Sequence, residues 1–335
     1  MNYFCTYCDQ GYAARMLCLH DSLRELGEPF RLFVLCFDAA TADVVAGEAA
    51  PSLIAIPLDE LLAADPAYAA VRPTRSVIEF YFTATPVFVR FCLNREPQAQ
   101  LMTYLDADLF FFGPASAVLA EQGAASVGIV PHRFAPWSRR SLRNGIYNVG
   151  WVSFRRDAHG LACVDWWRER CLEWCYDRVE NGRFADQGYL NEFPQRFAQV
   201  RAMEHPGINA APWNVDPARL TCVEGQPWVE GRPVLFYHYQ GVREVAPGWF
   251  DPGVRSYHVA FTPEMRDYLY APYLRRLAAR QAKLRRNGIL PSIGYKRLPS
   301  GYQLSAIWER FRARSFWITY RRWRGKLVHC PEPVA

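Results

Sequence analysis

Apolar and polar positions along the first hundred residues follow two alternating periods. Residues 2–7 read as a strand, and Gly11 to Leu26 follows with helical spacing at Ala14, Leu17, Cys18, Ser22 and Leu26, closed by Gly27. Arg31 to Phe37 is a second strand-like run, Ala39 to Ala49 reads as a helix, Ser52 to Ile56 as a strand and Thr83 to Leu93 as a helix. Leu101 to Leu105 is then a short apolar run of strand type. This βαβ order predicts an α/β fold with a mostly parallel central sheet and helices on both faces, binding its ligand beyond the carboxyl ends of the strands.

From about residue 126 the segments shorten and become aromatic. Ser126 to Pro131 and Tyr147 to Phe154 read as strands around a loop holding Arg133, Arg139, Arg140 and Arg143. Leu161 to Val179 reads as a helix, Asp186 to Phe193 as a short helix and Val234 to Tyr239 as a late strand, and the body ends near Tyr270. Beyond it Leu274, Leu277, Ala278 and Leu284 share one helical face while Arg275, Arg276, Arg280, Lys283 and Arg286 share the other.

Composition narrows the class. The chain has 335 residues, 50% apolar and 21% charged, without repeats, which excludes disordered and fibrous proteins. No apolar run reaches the roughly 18 residues of a spanning helix. The opening residues lack a basic region followed by an apolar run, so a cytoplasmic protein is expected and its ten cysteines are expected to be buried thiols. Cys5-x-x-Cys8 has metal or redox spacing, but no second pair answers it.

The net charge of +6 conceals an asymmetry. Residues 272–335 carry 12 Arg and 3 Lys against Glu309 and Glu332, leaving the rest of the chain with 24 basic and 31 acidic side chains. Such a split suits an anionic partner surface. Aromatics such as Trp308, Phe311, Trp317 and Trp323 alternate with arginines over 308–324. Two readings stand: peripheral attachment to the inner face of the membrane through residues 272–335, or packing of these side chains on the body. The usual RNA-binding motifs are missing, so no nucleic acid is expected.

The chemistry centres on Asp106-Ala107-Asp108, directly after the run Leu101 to Leu105. Two carboxylates two residues apart at a strand end can serve a hard divalent cation and leave positions for phosphate oxygens. Asp-x-Asp also occurs in ordinary turns. Here the flanking apolar residues make the pair costly to bury without a cation.

Tyr104-Leu105-Asp106-Ala107-Asp108-Leu109 resembles the Asp-x-Asp signature of metal-dependent, nucleotide-sugar-using glycosyltransferases of the GT-A fold. Three further motifs occur in the order of the glycogenin-like family 8: Tyr147-Asn148-Val149-Gly150, Ala185-Asp186-Gln187-Gly188, and His238-Tyr239-Gln240-Gly241. The chain is also similar to bacterial glycosyltransferases of polysaccharide assembly. The resemblance covers about residues 1–245.

With the change of pattern near 126, the end of the body near Tyr270 and the basic tail, it gives a catalytic domain over 1–270, with a nucleotide-binding half (1–125) and an acceptor-side half (126–270), and a basic helical extension over 271–335. It implies that Asp106, Asp108 and His238 hold Mn²⁺ (or Mg²⁺) bridging the diphosphate of a nucleoside diphosphate sugar. It places Thr6, Tyr7 and Asp9 at the nucleoside, Arg75 at the donor, and Asn148 and Gly150 at the donor sugar. Asp186 and Gln187 fall on the acceptor side near the anomeric carbon, although Asp186 also suits a helix N-cap. After Gly241 the family carries a diphosphate-binding Lys where this chain has Glu244, so either Arg243 substitutes or that contact is missing. The implied activity is a retaining hexosyl transfer to a glycan or lipid-linked acceptor; the alternative is a non-catalytic nucleotide-sugar or glycan binding protein. Trp151, Trp166, Trp167 and Trp174 read as core, and Trp213 as either core or a sugar platform.

Overall fold

The computed structural model describes residues 1–246, 248–289 and 328–330. The strands are β1 (Asn2–Cys8), β2 (Phe30–Cys36), β3 (Leu53–Pro57), β4 (Leu101–Leu105), β5 (Leu109–Phe111), β6 (Val127–Pro131), β7 (Tyr147–Arg155), β8 (Val200–Ala202), β9 (Leu220–Val223), β10 (Gln226–Val229), β11 (Arg232–Pro233), β12 (Phe236–His238), β13 (Arg243–Ala246), β14 (Trp249–Asp251) and β15 (Val328–His329). The α-helices are α1 (Ala13–Glu25), α2 (Ala39–Gly47), α3 (Leu58–Ala64), α4 (Pro66–Val71), α5 (Val77–Arg95), α6 (Ala115–Gln122), α7 (Ala158–Glu173), α8 (Phe193–Arg196) and α9 (Ala271–Arg286).

The central sheet has seven strands in the order β3-β2-β1-β4-β7-β6-β8. β3, β2, β1 and β4 run parallel, β7 is antiparallel to both β4 and β6, and β8 pairs parallel with β6. The expected mostly parallel sheet is therefore present, with one reversed strand, β7, inside it between β4 and β6. One face is covered by α1, α2, α6 and α9, the other by α3, α4, α5 and α7, each with its own apolar core.

Local chemistry sets the helix ends. Asp38 caps α2 through the Thr41 amide, Asp65 caps α4 ahead of Pro66, and Asp157 caps α7 through the Gly160 amide. Ser76 and Glu79 close a reciprocal capping box, so α5 starts at Val77, six residues earlier than the apolar spacing suggests, and it runs through Pro86. α7 stops at Glu173 where Trp174 turns extended, well short of the expected Val179. Trp151, Trp167 and Trp174 are buried and Trp166 packs on the second core.

Cys5 and Cys8 lie three apart in β1, so their side chains point to opposite faces, Cys5 into one core and Cys8 into the other. One metal or one disulfide cannot use both, and each is a free buried thiol.

The basic helix corrects the membrane reading for its own span. Tyr273, Leu274, Leu277, Ala278 and Leu284 of α9 are buried in the core they share with α1. On the polar side, Arg280 binds Asp21 at 2.5 Å and Glu48 at 2.7 Å, Lys283 binds Glu48 at 2.7 Å, Arg276 binds Glu25 at 2.5 Å, and Arg285 binds Glu244. Its apolar face is occupied and much of its charge is matched by acids of the body. The aromatic and arginine stretch 308–324 lies outside the described residues.

Candidate functional site

Three strand ends converge. Asp106 follows β4, and its amide donates to the Gly150 carbonyl of β7 at 3.1 Å. β5 pairs antiparallel with β12 so that His238 lies opposite Leu109, and the Tyr239 amide donates to the Asp108 carbonyl at 3.0 Å. This register brings an imidazole from late in the chain onto the Asp-x-Asp turn. His238 Nε2 stands 3.1 Å from Asp108 Oδ1 and 3.6 Å from Asp106 Oδ2. Among the described residues these three form the cluster with metal-binding geometry, their ligand atoms all within 4.8 Å of one another.

The donor set fits a divalent ion. Octahedral ligands at about 2.1 Å from an ion sit about 3 Å apart, close to the separations present, and three ligands leave positions open. Tyr104 donates its hydroxyl to Asp106 Oδ1 at 2.9 Å, orienting that carboxylate. Without an ion, burial pushes the Asp106 carboxyl up to about 6, helped by the charge of Asp108 and restrained by His238. For Asp108 burial works against the carboxylate, but His238 and Arg15 outweigh it and hold the group below its ordinary value. His238 itself is raised, because the two carboxylates overcome the burial that disfavours its imidazolium.

Asn148 connects this cluster to the other side of the site. Its Oδ1 accepts the Gly150 amide at 3.0 Å and lies 3.2 Å from His238 Nδ1, while Nδ2 reaches Gln187 Oε1 at 3.1 Å and His132 Nε2 at 3.3 Å. The Gly150 amide identifies Oδ1 as the oxygen, so His238 Nδ1 carries the hydrogen and Nε2 faces the carboxylates. His132 bonds the Ile146 carbonyl through Nδ1, and burial pushes it down to about 3, keeping it neutral with Nε2 as acceptor. All four bonding positions of the Asn148 amide are occupied. Through these bonds Asn148 holds His238 and Gln187 in place at the cleft wall.

A Cβ on Gly150 would stand 2.6 Å from Asn148 Oδ1 and 3.0 Å from His238 Nδ1, so the missing side chain makes room for this network.

Gln187 donates Nε2 to the Asn144 carbonyl at 2.9 Å, leaving one Oε1 lone pair and one Nε2 hydrogen for a ligand. Asp186 precedes the 3₁₀ turn Gln187–Glu192 without capping it by its side chain. Burial, with the charge of Asp106, pushes its carboxyl up to about 7.

A cleft of about 470 Å³ joins these groups. It is lined by Tyr7, Asp9, Asp106, Ala107, Asp108, Asn148, Asp186, Gln187 and His238. Thr6 is buried next to it without lining it. Arg75, Gly241 and Arg243 also stand off the lining. The Arg75 guanidinium is held by the Tyr176 hydroxyl at 2.6 Å and the Leu172 carbonyl at 3.1 Å. Arg243 pairs with Asp251 at 3.0 Å, and Gly241 (φ +84°) turns the chain after β12 with its Cα beside Gly253. Glu244 is buried, accepts the Gly248 amide at 2.9 Å and anchors Arg285, so at this position the chain braces α9.

Sequence spacing did not single out Tyr12, His132 or Arg15. Tyr12 and His132 line the cleft, and the buried Arg15 holds the Val242 carbonyl at 2.8 Å beneath it. A Gly or Asp motif marks none of them: His132 is delivered by the end of β6, and Tyr12 and Arg15 by the start of α1. Trp213 lines the cleft but is buried, bonded to the His132 carbonyl and edge-on to His238 at 5.2 Å, which makes it a brace for the imidazole.

No protein-family model matches the chain. An uncharacterised protein of Bacillus subtilis (strain 168), YfnF, is 32% identical over 255 residues, covering 72% of this chain and 82% of that protein. A second from the same organism, YfnD, is 26% identical over 242 residues, covering 71% and 77%. Among solved structures, the bifunctional glycosyltransferase WbbM in its apo form matches with a TM-score of 0.51 at 15% identity, over 87% of this chain and 52% of that one.

Proposed function

The chain belongs to the protein family of Bacillus subtilis YfnF and has the GT-A glycosyltransferase fold, and on that premise we propose that it is a metal-dependent glycosyltransferase. It moves a hexosyl unit from a nucleoside diphosphate sugar, UDP-linked, to a glycan or lipid-linked acceptor, with retention at the anomeric carbon, in bacterial surface polysaccharide assembly. The observation that carries this reading is the convergence of Asp106, Asp108 and His238 on one cleft that Asp186 and Gln187 also line.

In this reading Asp106, Asp108 and His238 hold Mn²⁺ (or Mg²⁺), and the ion offsets the charge that develops on a departing diphosphate. Tyr7, Asp9 and Tyr12 at the end of β1 take the nucleoside, where strand-end loops of this fold class place it. Asp186, in a dry setting, hydrogen-bonds the donor sugar, and Gln187 uses its free Oε1 lone pair near the anomeric carbon. Burial of Asp186 keeps water from competing with the acceptor on that side of the cleft.

Thermal unfolding against a panel of nucleoside diphosphate sugars tests the proposal. With Mn²⁺ one of them stabilises the protein by about 2.7 kcal/mol at a hundredfold excess over its dissociation constant. Stabilisation by none contradicts the donor reading. NMR of the first-formed glycoside tests retention: an inverted product overturns that part and makes Asp186 the candidate general base.

A further inference from the structure

The mouth of the cleft has an unusual surface. Eight large hydrophobic side chains are exposed among the described residues; Tyr12 and Ile78 line the cleft, and Val77, Leu142, Ile146 and Val179 lie within two residues of a lining residue in sequence, the six at 43% to 68% exposure. Ile78 lines the cleft itself; Leu142 lies between the lining residues Ser141 and Asn144, and Ile146 between Asn144 and Asn148. Val179 follows the lining residue Asp177, whose amide donates to Glu79 Oε1 at 3.1 Å and so ties that segment to the start of α5.

Two arginines share this rim. Arg139 and Arg143, on the 3₁₀ segment Pro136–Asn144, are exposed and make no hydrogen bond or ion pair among the described residues, unlike Arg90, Arg95, Arg168 and Arg170 of α5 and α7. The sequence has no acid between Glu121 and Asp157, so nothing on this segment offsets them. Of the acids on these rim segments, Glu180 is bound to Arg178 and Glu79 to the Ser76 cap, which leaves Asp177, while Asp9, Asp106, Asp108 and Asp186 line the cleft itself.

Exposed aliphatic groups together with bare arginines are what an anionic lipid surface accepts. The apolar side chains enter the headgroup boundary and the guanidinium groups meet phosphates. We infer that the cleft mouth docks on an anionic lipid bilayer, so that the acceptor is presented from the membrane and is lipid-linked. The acceptor part rests on the glycosyltransferase reading above; the docking does not.

Co-sedimentation of the full chain with phosphatidylcholine vesicles, with and without about a third phosphatidylglycerol, tests it. The protein binds the anionic vesicles and not the neutral ones. The double change Arg139→Glu with Arg143→Glu weakens that binding roughly thirtyfold, and Leu142→Glu with Ile146→Glu also releases the protein. These side chains are outside the cleft lining, so Mn²⁺ binding and melting temperature stay as in the parent. Asp108→Asn serves as the converse control: it removes metal binding and keeps vesicle binding, so a failure of the enzymatic reading is separable from a failure of docking. Parent protein that ignores anionic vesicles, or rim variants that bind as tightly as the parent, overturns the inference; the second result would move any membrane contact to the basic residues 290–335.

Discussion

Asn148 joins four groups through one amide, and its substitutions separate what each bond does. Asn148→Ala leaves His238 Nδ1, the Gly150 amide and Gln187 Oε1 without their partner, and a loss of the group that orients a ligating imidazole lowers metal affinity about 10- to 100-fold. Asn148→Asp keeps an acceptor behind the imidazole, and a carboxylate there suits a metal-binding histidine. Metal affinity is therefore retained in Asn148→Asp while donor turnover falls, because Gln187 has lost its hydrogen-bond donor. Titration calorimetry with Mn²⁺ on the two variants checks this; equal losses in both would contradict the network. Asp186 gives a pH test. Its carboxyl titrates at about 7 in the folded protein and near 3.9 in an unfolded chain. The folded state therefore binds the extra proton, and stability falls as pH rises between about 4 and 7. Asp186→Asn removes that loss, so it is expected to stabilise the protein by on the order of 2–4 kcal/mol at pH 8 and scarcely at pH 4, while turnover drops. Denaturant midpoints at the two pH values decide it, and an unchanged or lower midpoint at pH 8 would count against a strained acid in the site.

The elements that carry the site were partly legible before the structure. The βαβ rhythm of β1, α1, β2, α2 and β3 is written in apolar spacing, and Asp106 and Asp108 stand where a parallel strand ends. His238 was reachable only through its motif, because the pairing of β5 with β12 joins residues over a hundred positions apart and no local period encodes it. The start of α5 was present as the Ser76 and Glu79 box but was masked by Pro86, which draws attention to a later start. α9 shows the deeper limit. A two-faced helix with arginines on one side has the same pattern whether it lies on a membrane or on its own protein, and only the acids Asp21, Glu25 and Glu48, far off in sequence, decide between them. The Arg280 pair with Asp21 is accordingly structural. Arg280→Met leaves Asp21 buried with only the more distant Arg276 and Arg24, at 3.7 and 3.6 Å. It is expected to destabilise the protein by on the order of 2–4 kcal/mol, and the further change Asp21→Asn to recover part of that. Chemical denaturation of both variants is the check, and a single variant as stable as the parent would show that α9 is held by its apolar face alone.

At the scale of the whole molecule, seven strands and their two layers of helices bring chain positions 106, 108, 148, 186, 187 and 238 to one opening of about 470 Å³. Each layer has its own task. The face with α1 and α9 braces the strand that delivers His238, through Tyr239 stacked on Tyr273 at 3.8 Å. The face with α5 and α7 fixes Asp186, whose backbone carbonyl accepts the Trp167 indole at 2.9 Å. The central claim is that this assembly uses an ion on Asp106, Asp108 and His238 to transfer sugar. The most direct measurement is release of nucleoside diphosphate by the full chain from its donor, with Mn²⁺, with chelator, and in Asp108→Asn. The account predicts turnover with Mn²⁺, none above background in chelator, and a loss of at least about a thousandfold in a variant that melts within a few degrees of the parent. Turnover that survives chelation, or full activity in Asp108→Asn, would contradict it.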